Sequence, residues 1–169
     1  YVLVGIQALI LNAAVAAGVP RFIPSDFAID FTKLPHGNNR NLDFRQEFKE
    51  RLDKAPIAAT SVLNGMFTDL LTGEAPIVLF PLKRVMYYGS ADQLMDFTTI
   101  QNTAEFTAAA ALDPTTPRYL RIAGDVLSAK GLCEAASKAT GEEFKLLRVG
   151  GLGLLNTLIK VTKALTPSS

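Results

Sequence analysis

The sequence predicts an α/β fold built on a parallel sheet. Residues 1–18 have the composition of an apolar helix, and a short apolar segment at 19–24 follows directly. An amphipathic segment at 43–54 is likewise followed by a partly β-branched apolar segment at 56–63. A helix that leads straight into a buried strand, twice in succession, is typical of parallel sheets. Since 49% of the 169 residues are hydrophobic, the chain can bury a substantial core.

Composition excludes several function classes. The 17 basic and 16 acidic residues leave a net charge of +1, which gives no electrostatic basis for binding nucleic acid. The single cysteine, Cys133, excludes an internal disulfide and any multi-thiolate metal centre, and the single histidine, His36, excludes a zinc site with several histidines. We therefore predict no metal site and a reducing, cytoplasmic compartment.

Residues 1–20 carry no charge and have to be considered as a membrane span or signal segment. Gln7 and Asn12 interrupt this segment, no basic flank precedes it, and Gly18 and Pro20 end a helix early. We predict a buried helix and no membrane contact, with Gly18 as its left-handed stop. The residues at helical spacing that we expect to face the core are Ile6, Leu9, Ile10, Ala13 and Ala17.

The next elements continue the alternation of helices and strands. A polar loop at 31–41 precedes a helix that we expect to begin at Asp43, capped by Gln46 three residues later. This helix places Phe44, Phe48 and Leu52 on one stripe, which predicts a half-exposed element.

The second half of the chain contains further elements of both kinds. Strands are predicted at 77–80, 84–88, 118–122 and 144–149, and helices at 98–112, 128–141 and 152–165, before a frayed end at 166–169. Ser128 is expected to cap the helix at 128–141, which should end at Gly141. The glycine-rich turn at 150–153 lies between a strand and a helix, as in dinucleotide-binding motifs. Asn156 stands where the third glycine belongs, so we interpret this turn as a tight connection.

Two loops follow the best-predicted strands. They read Pro24-Ser25-Asp26-Phe27 and Asn64-Gly65-Met66-Phe67. Ligands bind beyond the carboxyl ends of parallel strands, and a right-handed crossover would bring these two ends side by side. We therefore expect the two loops to flank one cleft. The alternative is ordinary turn chemistry, because serine, aspartate, asparagine and glycine are common in turns.

The same two segments resemble those of a known family. Residues 18–27 and 60–67 are similar to NmrA-like proteins of the isoflavone reductase-like, atypical short-chain dehydrogenase group. The stretches at 87–93, 97–100 and 110–114 match the same family in order and with compatible spacing. The resemblance therefore extends over most of the chain.

The resemblance implies the C-terminal portion of a Rossmann-type, doubly wound parallel sheet with a smaller α/β substrate lobe. Residues 1–75 would form the C-terminal half of the NAD(P)-binding domain, and residues 76–169 mainly the substrate lobe. The helix at 98–112 would pack back on the Rossmann sheet. In that family the glycine-rich phosphate loop lies ahead of the helix with which this chain begins, so we expect a fragment of a longer protein.

The resemblance also implies a cofactor site for NADP or NAD at the two loops. Its expected cofactor-binding residues are Pro24, Ser25, Asp26, Asn64, Gly65 and Phe67. Such a protein would act on a small-molecule substrate, with the cofactor supplying hydride.

Catalytic residues are less clear from the resemblance. Reductases of this group carry a lysine on the helix before the second strand, and Arg45 holds that place here, with Asn41 four residues earlier. An arginine remains charged and cannot act as a general acid or base, although it can hold a phosphate or polarise a carbonyl. Lys49 would substitute only in a shifted register, and its alternative role is an ion pair with Asp53.

Two further residues are candidates for contact with substrate. His36 lies in a polar loop and Tyr88 stands beside Gly89, although an exposed loop histidine and a tyrosine packed on its strand are the simpler interpretations. We predict a reductase of a small aromatic or carbonyl compound. The alternatives are a non-catalytic NAD(P) sensor that regulates a partner protein, and an α/β fragment without activity of its own.

Overall fold

The computed structural model describes residues 2–37, 39–71, 73, 77–151, 153 and 157. These residues form four α-helices and ten strands. The helices are α1 (Val2–Ala16), α2 (Arg40–Leu52), α3 (Ile100–Leu112) and α4 (Ala129–Thr140). The strands are β1 (Arg21–Phe22), β2 (Ala58–Ala59), β3 (Ser61–Leu63), β4 (Met66–Phe67), β5 (Val78–Leu79), β6 (Arg84–Tyr88), β7 (Met95–Thr98), β8 (Tyr119–Arg121), β9 (Asp125–Leu127) and β10 (Lys145–Gly150).

Strand pairing is predominantly parallel, which confirms the predicted α/β class. β1 pairs with β2, β3 with β8, and β4 with β7, all in parallel. β6 pairs in parallel with β10 and antiparallel with β5. Each parallel pair requires a crossover connection. Helix α2 lies between β1 and β2, α3 lies between β3 and β8, and both α3 and α4 lie between β6 and β10.

The chain divides into two compact units. Unit 1 consists of Tyr1–Thr68 and Asp96–Asp125, and unit 2 of Asp69–Met95 and Val126–Ser169. The helix predicted over 98–112 begins at Ile100 and belongs to unit 1. The assignment of 1–75 to a cofactor domain and of 76–169 to a substrate lobe stays a prediction, because packing defines these units and ligands do not.

The core of unit 1 lies between α1, β1 and α2. Leu11 of α1, Phe22 of β1, and Phe48 and Leu52 of α2 are buried together with Ala8. The rings of Phe22 and Phe48 lie 6.1 Å apart in a tilted arrangement. Two aromatic side chains packed in this way fix the position of α2 relative to β1.

The predicted buried face of α1 is wrong. Ile6, Leu9 and Ile10 are 49%, 71% and 54% exposed, and Ala13 and Ala17 are exposed as well. The helix is apolar around most of its circumference, so helical spacing alone fits more than one face. Packing against β1 and α2 selects the opposite face. Gly18 follows the helix with a φ of 68°, which confirms its predicted role as a left-handed stop.

Helix α2 begins three residues earlier than predicted. Its cap is Asn39, whose side chain accepts hydrogen bonds from the backbone N–H groups of Asn41 and Leu42. Asp43 instead accepts a hydrogen bond from the backbone N–H of Gly37. The predicted apolar stripe is confirmed, because Phe48 and Leu52 are both 1% exposed.

Helix α3 is held at both ends. The Thr99 side chain caps its N-terminus by accepting from the N–H of Asn102. At its C-terminal end, the Arg21 guanidinium donates to the carbonyl oxygens of Ala110, Asp113 and Pro114 at 2.9–3.0 Å. These carbonyl oxygens have no hydrogen-bond partner within the helix. Arg21, which lies on β1, supplies N–H donors to them.

Unit 2 combines β5, β6 and β10 with α4. Ser128 caps α4 and Gly141 ends it at a φ of 72°, as the sequence predicted. The thiol of Cys133 donates to the carbonyl oxygen of Phe144. The predicted helix at 152–165, apart from Gly153 and Thr157, and the predicted frayed end at 166–169 lie outside the described residues. Within the described part of the chain, no helix is long and apolar enough to cross a membrane.

Candidate functional site

The loops that follow β1 and β3 meet, as predicted. The N–H of Gly65 donates to the carbonyl oxygen of Ala28 at 3.3 Å, which joins the two loops directly. Just before this point, the N–H of Thr60 donates to the carbonyl oxygen of Phe22 and continues the pairing of β1 with β2. The carboxyl ends of the two strands therefore lie at one edge of unit 1, where ligands bind in parallel sheets.

Gly65 is required by its surroundings as well as by its conformation. Its φ is +69°, and a Cβ at this position would lie 2.3 Å from the carbonyl oxygen of Asp96. An L side chain would therefore meet both backbone strain and a steric clash. The glycine allows the loop after β3 to lie directly against β7.

Four of the predicted cofactor-binding residues are buried within these loops: Pro24, Asp26, Asn64 and Gly65. Asp26 and Asn64 are 2% and 0% exposed. The side chains of Asp26 and Asn64 therefore lie beneath the surface on which a ligand would rest, which is the reverse of what their polarity suggested. Any contact with a cofactor at these positions would use the loop backbone, which these side chains position.

Asp26 is a buried acid beside two arginines. Burial raises the pKa of its carboxyl, whereas a hydrogen bond with Ser61 and the charges of Arg45 and Arg118 act in the opposite direction. The Nη1 of Arg118 also donates to the Ser61 hydroxyl at 2.8 Å. Ser61 thus links the buried carboxyl to an arginine that was not singled out from the sequence.

Asn64 is buried without side-chain partners among the described residues. Neither its Oδ1 nor its Nδ2 has a hydrogen-bond partner there, although its backbone oxygen accepts from the hydroxyl of Thr98 at 2.8 Å. An unpaired buried amide is costly, since both polar atoms have lost their hydrogen bonds to water. Nothing in the sequence indicates this unpaired state.

A small cavity brings together two predicted site residues, Ser25 and Arg45, from separate segments. It has a volume of about 190 Å³ and is lined by Val4, Gln7, Ser25, Asn41, Phe44 and Arg45. Ser25 comes from the loop after β1, while Asn41 and Arg45 lie one helical turn apart on α2. The Oε1 of Gln7 accepts from the N–H of Ser25 at 2.8 Å, so α1 also fixes this loop.

Arg45 is held in place by backbone oxygens. Its Nε donates to the carbonyl oxygen of Asp26, and its Nη1 donates to that of Asn41 at 2.9 Å. Burial lowers the pKa of the Arg45 guanidinium, while the charge of Asp26 acts in the opposite direction. An arginine nevertheless keeps its charge in proteins, so this group offers a fixed positive charge and cannot serve as a general acid or base.

A larger, apolar cleft lies along α3. Its volume is about 500 Å³, and its lining residues are Phe27, Phe67, Ile100, Thr103, Ala104, Thr107, Ala108 and Ala111. Phe27 comes from the loop after β1, and Phe67 lies on β4, since the segment at 64–67 that was predicted as a loop turns at Asn64-Gly65 and continues as a strand paired with β7. Phe27 has a φ of 25°, which is rare for a bulky residue and shows that the loop is tightly constrained there. The loop after β1 thus contributes both to the small polar cavity and to this apolar surface.

Lys49 forms an ion pair with Asp53, which was the alternative to a catalytic role. Its Nζ lies 2.7 Å from Asp53, which also pairs with Arg118 at 2.8 Å. The hydrogen bond with Asp53 is the main cause that raises the pKa of Lys49. Burial acts to raise the pKa of Asp53, but the hydrogen bonds from Lys49 and Arg118 outweigh it and lower that pKa. A lysine held charged in this way is a poor proton donor at neutral pH.

The two predicted substrate contacts lie in different units. His36 belongs to unit 1, and its Nδ1 is 3.7 Å from Asp43, a neighbour that its loop position did not reveal. Tyr88 ends β6 in unit 2 and is half-buried. Among the described residues, no group of three or more potential ligands could hold a metal ion, and none was predicted.

Comparisons with known proteins identify related sequences. Pinoresinol reductase 1 of Arabidopsis thaliana is 26% identical over 160 residues, which cover 89% of this chain and 50% of that protein. Oxidoreductase poxI of Penicillium oxalicum is 25% identical over 166 residues, which cover 91% of this chain and 52% of that protein. The chain therefore spans about half the length of the curated relatives it matches.

Solved structures show the same fold. The structure of AtPrR2 with NADP+ and (+)pinoresinol matches with a TM-score of 0.74 at 24% identity, over 87% of this chain and 50% of that one. A crystal structure of isoflavone reductase matches with a TM-score of 0.74 at 20% identity, over 98% and 55%. The model of the NmrA-like family matches residues 2–167. Since that match covers nearly the whole chain, this protein belongs to the NmrA-like family.

Proposed function

We propose that this chain forms part of an NAD(P)-dependent reductase that acts on a small aromatic or carbonyl compound. The observation that carries the proposal is the meeting of the loops after β1 and β3, with a polar cavity and an apolar cleft beside them. Its relatives include reductases, and a matching structure contains NADP+ and (+)pinoresinol.

The described residues fit the nicotinamide end of NADP or NAD. The proposed cofactor contacts at the surface are Ser25 in the loop after β1 and Phe67 on β4, while Pro24, Asp26, Asn64 and Gly65 are buried and hold the loops from beneath. The glycine-rich turn that follows β10 lacks the third glycine of a diphosphate-binding motif, because Asn156 stands at that position. The cofactor would supply hydride, and this chain would orient the ring and the substrate.

Arg45 would hold or polarise the substrate and would not transfer a proton. Its guanidinium is fixed by Asp26 and Asn41 and borders the cavity. A fixed charge that faces a carbonyl oxygen stabilises the negative charge that develops there during hydride transfer. Lys49 is the weaker candidate for a catalytic residue, because its ammonium group forms an ion pair with Asp53. His36 and Tyr88 remain proposed substrate contacts.

A second candidate is a non-catalytic NAD(P) sensor that regulates a partner protein. One observation favours it: arginine stands where the reductases of this group have lysine, and asparagine stands one turn earlier, so neither residue can donate a proton. The cavity would then bind the cofactor without supporting turnover.

Turnover distinguishes the two candidates. We expect the full-length protein to oxidise NADPH, followed by loss of its absorbance, with at least one member of a panel of quinones and aromatic carbonyls. The Arg45→Lys variant should change the rate, while the matched control Arg51→Lys, an exposed arginine on the same helix, should not. Saturable NADPH binding without turnover over the whole panel would reject the reductase in favour of the sensor.

A further inference from the structure

The small cavity beside Arg45 contains hydrogen-bond donors that no described residue uses. Two of the guanidinium nitrogens, Nε and Nη1, bond to backbone oxygens, and Nη2 has no hydrogen-bond partner among the described residues. The hydroxyl of Ser25 and the side-chain amide of Asn41 also make no hydrogen bond within that part of the chain, and the Nε2 of Gln7 remains available while its Oε1 accepts from Ser25. Four side chains thus offer donors around one small space.

The charge around this space is positive. None of the six lining residues is acidic, and Arg45 carries the one formal charge among them. The acid that interacts with Arg45 in the described structure is Asp26. Its carboxyl is buried and forms a hydrogen bond with Ser61. A half-buried guanidinium with unused N–H groups and no carboxylate in its own cavity is suited to an anion from outside.

The size and the walls of the cavity select among anions. Val4 and Phe44 contribute apolar surface beside the donors, and the volume of about 190 Å³ accommodates a small ring or a short chain. A single guanidinium with neutral amide and hydroxyl donors matches one negative charge, and its planar fork matches a carboxylate. A phosphate dianion would need more positive charge and would leave the apolar wall unused.

We infer that the cavity formed by Gln7, Ser25, Asn41, Phe44 and Arg45 binds the carboxylate of a small organic acid with an apolar body. Arg45 forms the ion pair, Ser25 and Asn41 add hydrogen bonds, and Phe44 packs against the body of the ligand. The inference names the substrate class of the proposed reductase, an aromatic or carbonyl compound that carries a carboxylate, and it rests on the proposed function in that respect. Binding itself does not require the cofactor.

Benzoate and benzamide provide a matched pair of probes. They have nearly the same shape and differ in charge, so isothermal titration of the full-length protein with each one, without cofactor, isolates the ion pair. We expect benzoate to bind about 10- to 100-fold more tightly than benzamide, as for hydrogen bonds to a charged group. Equal binding of the two, or tighter binding of inorganic phosphate than of benzoate, would overturn the inference.

Three variants locate the binding. Arg45→Met should abolish the preference for benzoate, while Arg51→Met on the exposed side of the same helix should preserve it. Because Arg45→Met also leaves buried Asp26 without one of its charge partners, Asn41→Phe is the second test. Residue 41 is exposed, its backbone oxygen still accepts from Arg45, and a phenyl ring there fills the cavity. Benzoate binding that survives Asn41→Phe in a protein with unchanged circular dichroism would refute the site.

Failure of this inference is distinguishable from failure of the proposed function. NADPH oxidation with neutral carbonyl compounds, together with no preference for benzoate, would retain the reductase and reject the carboxylate site. A benzoate site that depends on Arg45, without NADPH oxidation by any neutral or carboxylate-bearing carbonyl compound, would confirm the site and reject the reductase.

Discussion

At the scale of single residues, Asp26 shows how position overrides side-chain type. In the sequence it is a polar residue in a loop at the end of a strand, where a ligand contact is expected. In the structure it is 2% exposed and interacts with Ser61, Arg45 and Arg118. Its role is to fix the loop from within, because a buried carboxyl forms its strongest interactions with the groups that enclose it.

The raised pKa of Asp26 predicts a pH dependence of stability. The folded state holds the Asp26 proton more tightly than the unfolded state, whose pKa is near the ordinary 3.8. The stability contributed by the protonated carboxyl is therefore complete below that value and is lost as the pH rises through the raised folded pKa. Asp26→Asn, which resembles the protonated form, should gain stability relative to the natural protein as the pH rises from the unfolded-state pKa through the raised folded-state pKa.

Urea unfolding of both proteins over this pH range measures the difference. The free energy of unfolding of the Asn variant minus that of the natural protein should increase with pH. Asp96→Asn, at an exposed carboxyl on β7, serves as the control for general charge effects. A difference that decreases with pH would contradict the assignment of burial as the dominant cause.

At the scale of elements, α1 shows the limit of hydrophobic periodicity. Its sequence is apolar around most of the helix, so two opposite faces are both compatible with burial. Leu11 is 1% exposed and packs in the core with Phe22 and Phe48, whereas Leu9, two residues earlier, is 71% exposed. Two residues of the same type thus lie in opposite environments on one helix, one buried and one exposed.

This pair of leucines predicts a clear difference between two identical substitutions. Leu11→Ala should cost about 2–5 kcal/mol of unfolding free energy, the range for a fully buried leucine. Leu9→Ala should cost less than about 0.5 kcal/mol, since it removes little buried surface. Chemical denaturation of the two variants checks both values. A larger loss for Leu9→Ala than for Leu11→Ala would show that the face predicted from the sequence is the buried one.

Helix ends were easier to predict than helix faces. The cap by Ser128 and the glycine stops at 18 and 141 are as expected, because they depend on local backbone geometry. The start of α2 was missed since Asn39 and Asp43 are both plausible caps, and hydrogen bonds to Asn41 and Leu42 select Asn39. The hydrogen bonds from Arg21 to the end of α3 join residues about 90 positions apart, and no local sequence pattern indicates them.

At the scale of the whole molecule, this member of the NmrA-like family has two compact units, and the candidate site lies in one of them. Unit 1 contains both loops of the candidate site and both cavities beside them. The proposed surface for the nicotinamide end of a dinucleotide lies in this unit, whose described residues include no glycine-rich turn between a strand and a helix that would bind the diphosphate. Much of the affinity for a dinucleotide comes from contacts with its phosphates.

We therefore predict that the 169-residue chain by itself binds NADPH only weakly, with a Kd in the millimolar range. Isothermal titration of this chain with NADPH checks the prediction, and nicotinamide mononucleotide is the control for the part of the cofactor that the loops would contact. Micromolar binding of NADPH would mean that a diphosphate site exists in these residues after all.

The sequence by itself determined the α/β class, the order of most helices and strands, and the two loops at which the candidate site lies, because periodicity, capping and turn chemistry are local. The convergence of those loops also followed from it, since a right-handed crossover leaves one arrangement for consecutive parallel strands. Only the tertiary structure decided which face of α1 is buried, that Asp26 and Asn64 point inward, and that Ser25, Asn41 and Arg45 share a cavity with Gln7. Burial and unused hydrogen-bond donors depend on segments distant in the chain, and no window of sequence contains them.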